Sequence, residues 1–99
     1  MIIFNIILDS EEKAGTISSF LIQQKFALQT HIDTNKILTS HGQKQTIRLF
    51  FMTKSLLYDS IEKEIKKSFY TNEMIIYASP VSHINEEYGE LLRTGIKAV

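Results

Sequence analysis

The chain has 99 residues, 43% of them hydrophobic and 22% charged, with no cysteine and with 11 basic residues balanced by 11 acidic ones. That length holds one domain, residues 1–99, around one core, and the composition is that of a folded globular chain rather than a disordered one. Zero net charge gives no long-range field to gather nucleic acid or anionic lipid, while the lack of cysteine removes disulfides and thiol chemistry and points to a reducing, cytoplasmic setting.

The N-terminal run "MIIFNIIL" ends on acids, lacks the basic region and cleavage site of a signal peptide, and is far shorter than the roughly 20 residues of a membrane span. Ile2 to Leu8, mostly β-branched or aromatic, reads as a first strand. Asp9 with Glu12 makes a helix start, and Ala14, Ile17, Phe20 and Leu21 follow at helical spacing, which predicts a helix from about Ser10 to Gln24. Phe26 to Asp33 alternates Phe26, Leu28, Thr30 and Ile32 against Ala27, Gln29, His31 and Asp33, the period of a half-buried strand, with an irregular continuation through Ile37 and Leu38.

"TSHGQKQ" supplies a polar, glycine-containing hairpin turn, and Thr46 to Thr53 returns as the third strand. Ser55 reads as the cap of a second helix, whose stripe of Leu57, Tyr58, Ile61, Ile65 and Phe69 opposes a charged face. Met74 to Pro80 is the fourth strand. A short closing helix follows Asn85, with Gly95 expected as its C-terminal cap.

The order strand, helix, strand, strand, helix, strand predicts an α+β, ferredoxin-like βαββαβ sandwich: a four-stranded antiparallel sheet with two helices on one face, plus the short C-terminal helix. The first and third strands are expected at the centre because they are the most continuously apolar. The fourth belongs at an edge because a proline cannot donate to a central ladder.

Two helices cover only one face of such a sheet, yet both faces read as apolar. Ile2, Phe4, Ile6 and Leu8 share one face, while Ile3 and Ile7 flank Asn5 on the other. In the third strand Ile47, Leu49 and Phe51 oppose Phe50 and Met52. An exposed patch of that extent needs a cover, which predicts a homo-oligomer built through the open face around Ile3, Asn5 and Ile7, or through the strand edges. The competing arrangement is a monomer whose C-terminal segment folds back over the sheet.

This pattern resembles the divalent-cation-tolerance (CutA) proteins, small trimeric ferredoxin-like domains related in architecture to the PII signalling proteins. Phe26 to Ile32 is similar to the family's Leu-Ala-Ala-Cys-Val-Asn-Ile strand, and Thr53 falls on the threonine of its Lys-Thr motif. Ala78 and Pro80 match its Ile-Ile-Ala-Leu-Pro-Ile strand, and Tyr88 its Tyr-Leu-x-Trp helix. The family's cysteine falls on Gln29, its lysine on Met52, its His-Pro-Tyr on Phe69-Tyr70-Thr71 and its tryptophan on Leu91. The scaffold is kept where much of the polar signature is not. The resemblance implies a homotrimer and a link to divalent cations.

His31, His41 and His83 show no metal-ligand spacing, the serines no nucleophile elbow, and "HGQKQ" no phosphate-cradling loop. No motif names a cofactor. Arg48 and Asn5, polar groups inside the two most apolar strands, require partners if buried. Together with the aromatic and acidic Tyr70, Glu73 and Tyr77, Arg48 and His31 make up a candidate cleft between subunits. The expectation is a non-enzymatic, cytoplasmic homotrimer of CutA-like type, regulatory or scaffolding, binding an ion or small ligand at such clefts. One alternative is a PII-like sensor of an anionic metabolite that reports through the loop Thr34 to Gln45. Another is an enzyme with an active site between subunits at Tyr70, Glu73 and Tyr77.

Overall fold

A computed structural model describes residues 1–99. The elements are β1 (Ile2–Leu8), α1 (Glu11–Gln23), β2 (His31–Thr39), β3 (Gly42–Thr53), a 3-10 turn at Ser55–Leu57, α2 (Tyr58–Ser68), β4 (Ile75–Pro80) and α3 (Glu86–Gly95). The strands form one antiparallel sheet in the order β2-β3-β1-β4. The two apolar strands β1 and β3 are therefore central, and Pro80 ends an edge strand where its missing N–H costs no ladder bond. This is the ferredoxin-like arrangement expected.

The core lies between one sheet face and the helices. Phe4, Ile6 and Leu8 alternate along β1, and their ladder partners Phe51, Leu49 and Ile47 continue the same face across β3. Ala14, Ile17 and Leu21 of α1 and Ile61 and Ile65 of α2 close over them, all essentially inaccessible to solvent. Phe4 and Phe51 stack with ring centroids 5.2 Å apart. Each large apolar side chain so buried contributes about 1.5–3 kcal/mol, which makes this layer the main source of stability.

Local structure departs from the sequence expectations at five points, each for a traceable reason. Ser10, not Asp9, caps α1: it is the extended residue before the helix, and its Oγ accepts from the Lys13 N–H at 3.1 Å. Phe26 to Thr30 is not strand. The Phe26 N–H donates to the Leu21 carbonyl at 2.9 Å to close the end of α1, and the Phe26 carbonyl accepts from Thr53, so its backbone groups are used before β2 begins at His31. Lys25, at φ +61°, makes the left-handed step that this closure requires. The alternating pattern there reflects a loop that buries Phe26 and Ala27 in the core.

The hairpin is the third departure. Only Ser40 and His41 form the turn, Gly42 follows at a glycine-favoured φ of +120°, and Thr39 pairs with Gly42. Thr39 Oγ1 accepts from the His41 N–H at 3.2 Å and donates to the Gly42 carbonyl at 3.3 Å. The segment Thr34 to Gln45, expected as the loop through which a PII-like sensor would report, is thus a paired ladder apart from these two residues.

Ser55 opens the 3-10 turn rather than capping α2, which starts at Tyr58 without a side-chain cap. The adjacent Lys54 instead holds the chain's C-terminal segment, its Nζ donating to the carbonyls of Ile96 and Lys97 at 3.3 and 3.2 Å. Gly95 lies inside α3 rather than beyond it, and its use is steric: a Cβ there would sit 2.6 Å from Leu28 Cδ2. This contact docks α3 on the loop that follows α1. No helix is long and apolar enough to cross a membrane.

Candidate functional site

Alternate strand residues point to opposite faces, so the register alone defines what lines the face without α1 and α2. One row across the four strands reads His31, Phe50, Asn5 and Tyr77, and the next Asp33, Arg48, Ile7 and Ile75. Ile3 and Met52 lead into a third row. His31, Arg48, Tyr77, Ile3, Asn5 and Ile7, which the sequence marked separately as cleft and sheet-face candidates, therefore share one surface.

Two side chains outside those candidates, Asp33 and Phe50, organise it. Asp33 accepts from Arg48 Nη2 at 3.0 Å and from Arg48 Nε at 3.4 Å, a two-pronged pair across β2 and β3. This hydrogen bond chiefly holds the Arg48 guanidinium even more firmly in its charged form, against the opposing effect of desolvation. The pair is partly exposed, so it stabilises the single chain by no more than about 1 kcal/mol. The guanidinium also lies 4.1 Å from the centroid of the Phe50 ring, and the His31 ring stacks on Phe50 at 4.9 Å and 17°. Asp33, Arg48, Phe50 and His31 form one continuous polar-aromatic chain of contacts. Its signal was present in the sequence as a register: a two-residue turn at Ser40 and His41 sets Asp33 opposite Arg48, whereas the longer turn expected hides that pairing.

Asn5 is almost wholly buried among these side chains, and its Nδ2 donates to the Ile3 carbonyl at 3.2 Å. The contact answers the partner requirement within the strand. At the Ile3 end, Tyr88 of α3 joins Ile3, Phe50, Met52, Gln29 and His31 around a cleft of about 80 Å³. The C-terminal helix thus borders that end of the sheet only; further along, Ile75 and Tyr77 remain 49% and 41% exposed.

Tyr70 and Glu73 do not join this surface row. Both lie in the segment between α2 and β4, where Tyr70 is exposed beneath Lys66, 5.8 Å from its ring centroid. Glu73 lines a cleft of about 220 Å³ that continues the open face past Ile7 and Ile75, together with Asp9, Lys44, Thr46 and Ile37. Thr46 is 6% accessible there, and its Oγ1 is buried without a hydrogen-bond partner. The largest cavity, about 390 Å³ beside Phe26, Leu57 and Lys97, contains none of the residues marked from the sequence.

The residues of a single chain do not fit a metal centre. No three histidine, aspartate or glutamate side chains gather closely enough to hold an ion. His41 is next to Ser40 Oγ at the hairpin tip, His83 next to Ser82 Oγ before α3, and His31 is engaged with Phe50.

No family sequence model matches the chain, and no curated protein sequence does. Solved structures do. CutA from Pyrococcus horikoshii superposes with a TM-score of 0.88 at 17% identity, covering 99% of this chain and 100% of that one. The divalent cation tolerance protein from Thermus thermophilus gives 0.80 at 22% identity, covering 98% and 100%. The periplasmic divalent cation tolerance protein CutA from Archaeoglobus fulgidus gives 0.86 at 20% identity, again covering 98% and 100%. Across essentially its whole length, then, the chain has the fold of the CutA proteins.

Proposed function

We propose that the chain is a divergent CutA protein that works as a homotrimer, a non-enzymatic regulatory or scaffolding module in the cytoplasm whose clefts between subunits take an ion or small ligand. The observation that carries this reading is the uncovered sheet face. Ile3, Ile7, Phe50 and Met52 are only half-buried and Ile75 and Tyr77 are exposed, and the register makes them one contiguous apolar surface rather than scattered single residues. A second and third copy, related by closed symmetry, cover such a face at the lowest cost in new sequence. The polar Arg48–Asp33 pair within it then supplies register and specificity between copies rather than bulk stability.

The test is the mass in solution, followed by a screen of divalent cations. Sedimentation at micromolar concentration should give about three times the 11.4 kDa of the chain; a monomer would remove the assembly on which the reading depends. A cation bound by the native state should raise the melting temperature in a concentration-dependent way, and uniformly unchanged melting would restrict the protein to a scaffolding role.

A further inference from the structure

We propose that protonation of His31 dissociates the homotrimer, a regulation that rests on the assembly proposed above. Imidazole is the side chain that gains a charge between about pH 5 and 8, and His31 places one on the open face, at the β2 end of the row that runs through Phe50, Asn5 and Tyr77. Its own chain leaves it exposed. A copy seated over this face therefore covers the ring, and from then on its two charge states differ in cost.

The neutral ring suits a covered face, since it lies flat on Phe50 at 4.9 Å and 17°. The charged ring does not, because every group that faces it is either engaged or neutral. Asp33, two positions along β2 on the same face, is the one carboxylate in these rows, and Arg48 already takes both its oxygens, at 3.0 and 3.4 Å. Arg48 is itself a cation 4.1 Å from the centroid of the same Phe50 ring, so that ring has little attraction left for a second cation, and the two charges repel. The Gln29 amide 3.5 Å from His31 Nε2, Tyr88 of α3 in the adjoining cleft and Tyr77 of β4 at the far end of the row offer only amide and hydroxyl groups. In the assembly an added proton thus leaves an unpaired cation out of water in every copy. In the separated chain water solvates it, so proton uptake favours dissociation.

The experiment is sedimentation of the intact protein across a dilution series at about pH 7.5 and about pH 5.5, at constant ionic strength. The concentration at which half the chains are assembled should rise at least about tenfold at the lower pH, with the far-ultraviolet spectrum retained. His31→Asn and His31→Phe cannot take the proton, and the second keeps a ring on Phe50; both should hold the same assembly midpoint at the two pH values. Where one of them fails to assemble at the higher pH, the other carries the comparison. The double variant His41→Gln, His83→Gln removes the two histidines of the hairpin tip and the loop before α3, and should dissociate as the parent does. A parent whose midpoint is the same at both pH values, or His31 variants that dissociate in acid as it does, would overturn the proposal while leaving the trimer intact. A mass of 11.4 kDa already at the higher pH would instead overturn the trimer reading, and this regulation with it.

Discussion

Thr53 Oγ1 donates a 2.7 Å hydrogen bond to the carbonyl of Phe26, fastening the end of β3 to the loop that closes α1, 27 residues away in the chain. Thr53 is fully buried and Phe26 nearly so, so neither group has water as a substitute. Thr53→Val keeps the shape and removes the donor, leaving the carbonyl buried and unpaired, which should cost about 1–3 kcal/mol. A denaturant midpoint lowered at unchanged m-value is the expected observation. Thr53→Ser keeps the donor and should cost less, since only a methyl group is lost.

Tyr58 packs its ring 5.1 Å from Phe4 and donates its hydroxyl to Glu62 at 3.0 Å. Burial first, and the bond to Glu62 second, push its pKa above the usual phenol value of about 10. A pKa raised on folding means that the native state holds the proton more tightly than the unfolded chain does. The resulting stability is fully present below about pH 10 and is lost as pH rises through the folded pKa. Unfolding free energy should therefore fall through the alkaline range, and Tyr58→Phe should flatten that limb while leaving the slope near neutrality unchanged.

The fold was legible because patterning and topology rules act together on it: central strands are apolar on both faces, the proline sits at an edge, and right-handed crossovers put α1 and α2 on one side. What was illegible was local competition for backbone hydrogen bonds. The alternation from Phe26 to Asp33 is equally good for a strand and for a loop with inward Phe26 and Ala27, and only the bonds to Leu21 and Thr53 decide between them. The candidate surface suffered from the same error. With the hairpin turn placed too broadly, Asp33 could not be seen opposite Arg48, although Phe50, two residues along the same strand, already shared its face.

Thr46 offers a stability test opposite in sign to Thr53. Its hydroxyl is buried without a partner, so Thr46→Val replaces an unsatisfied group by a methyl of nearly the same volume. The fold should be unchanged or gain up to about 1 kcal/mol, in contrast to most buried substitutions.

Ile7 tests the assembly directly. It stands between Arg48 and Ile75 in its row on the open face and is half-buried in the isolated chain. Ile7→Lys in a monomer puts an ammonium where water reaches it, beside a guanidinium already neutralised by Asp33, and should change the chain's own stability little. In an assembly closed over this face the same ammonium is buried in every copy without a partner, at about 3–5 kcal/mol each. The expected result is a sedimenting mass that falls to the 11.4 kDa of one chain with the far-ultraviolet spectrum and cooperative unfolding retained. Leu56→Lys serves as the control: Leu56 is 78% exposed in the turn before α2, and the charge there should leave the mass as it was. If Ile7→Lys sediments as the parent protein does, the copies meet elsewhere, and the strand edges β2 and β4 become the surfaces that hold them together.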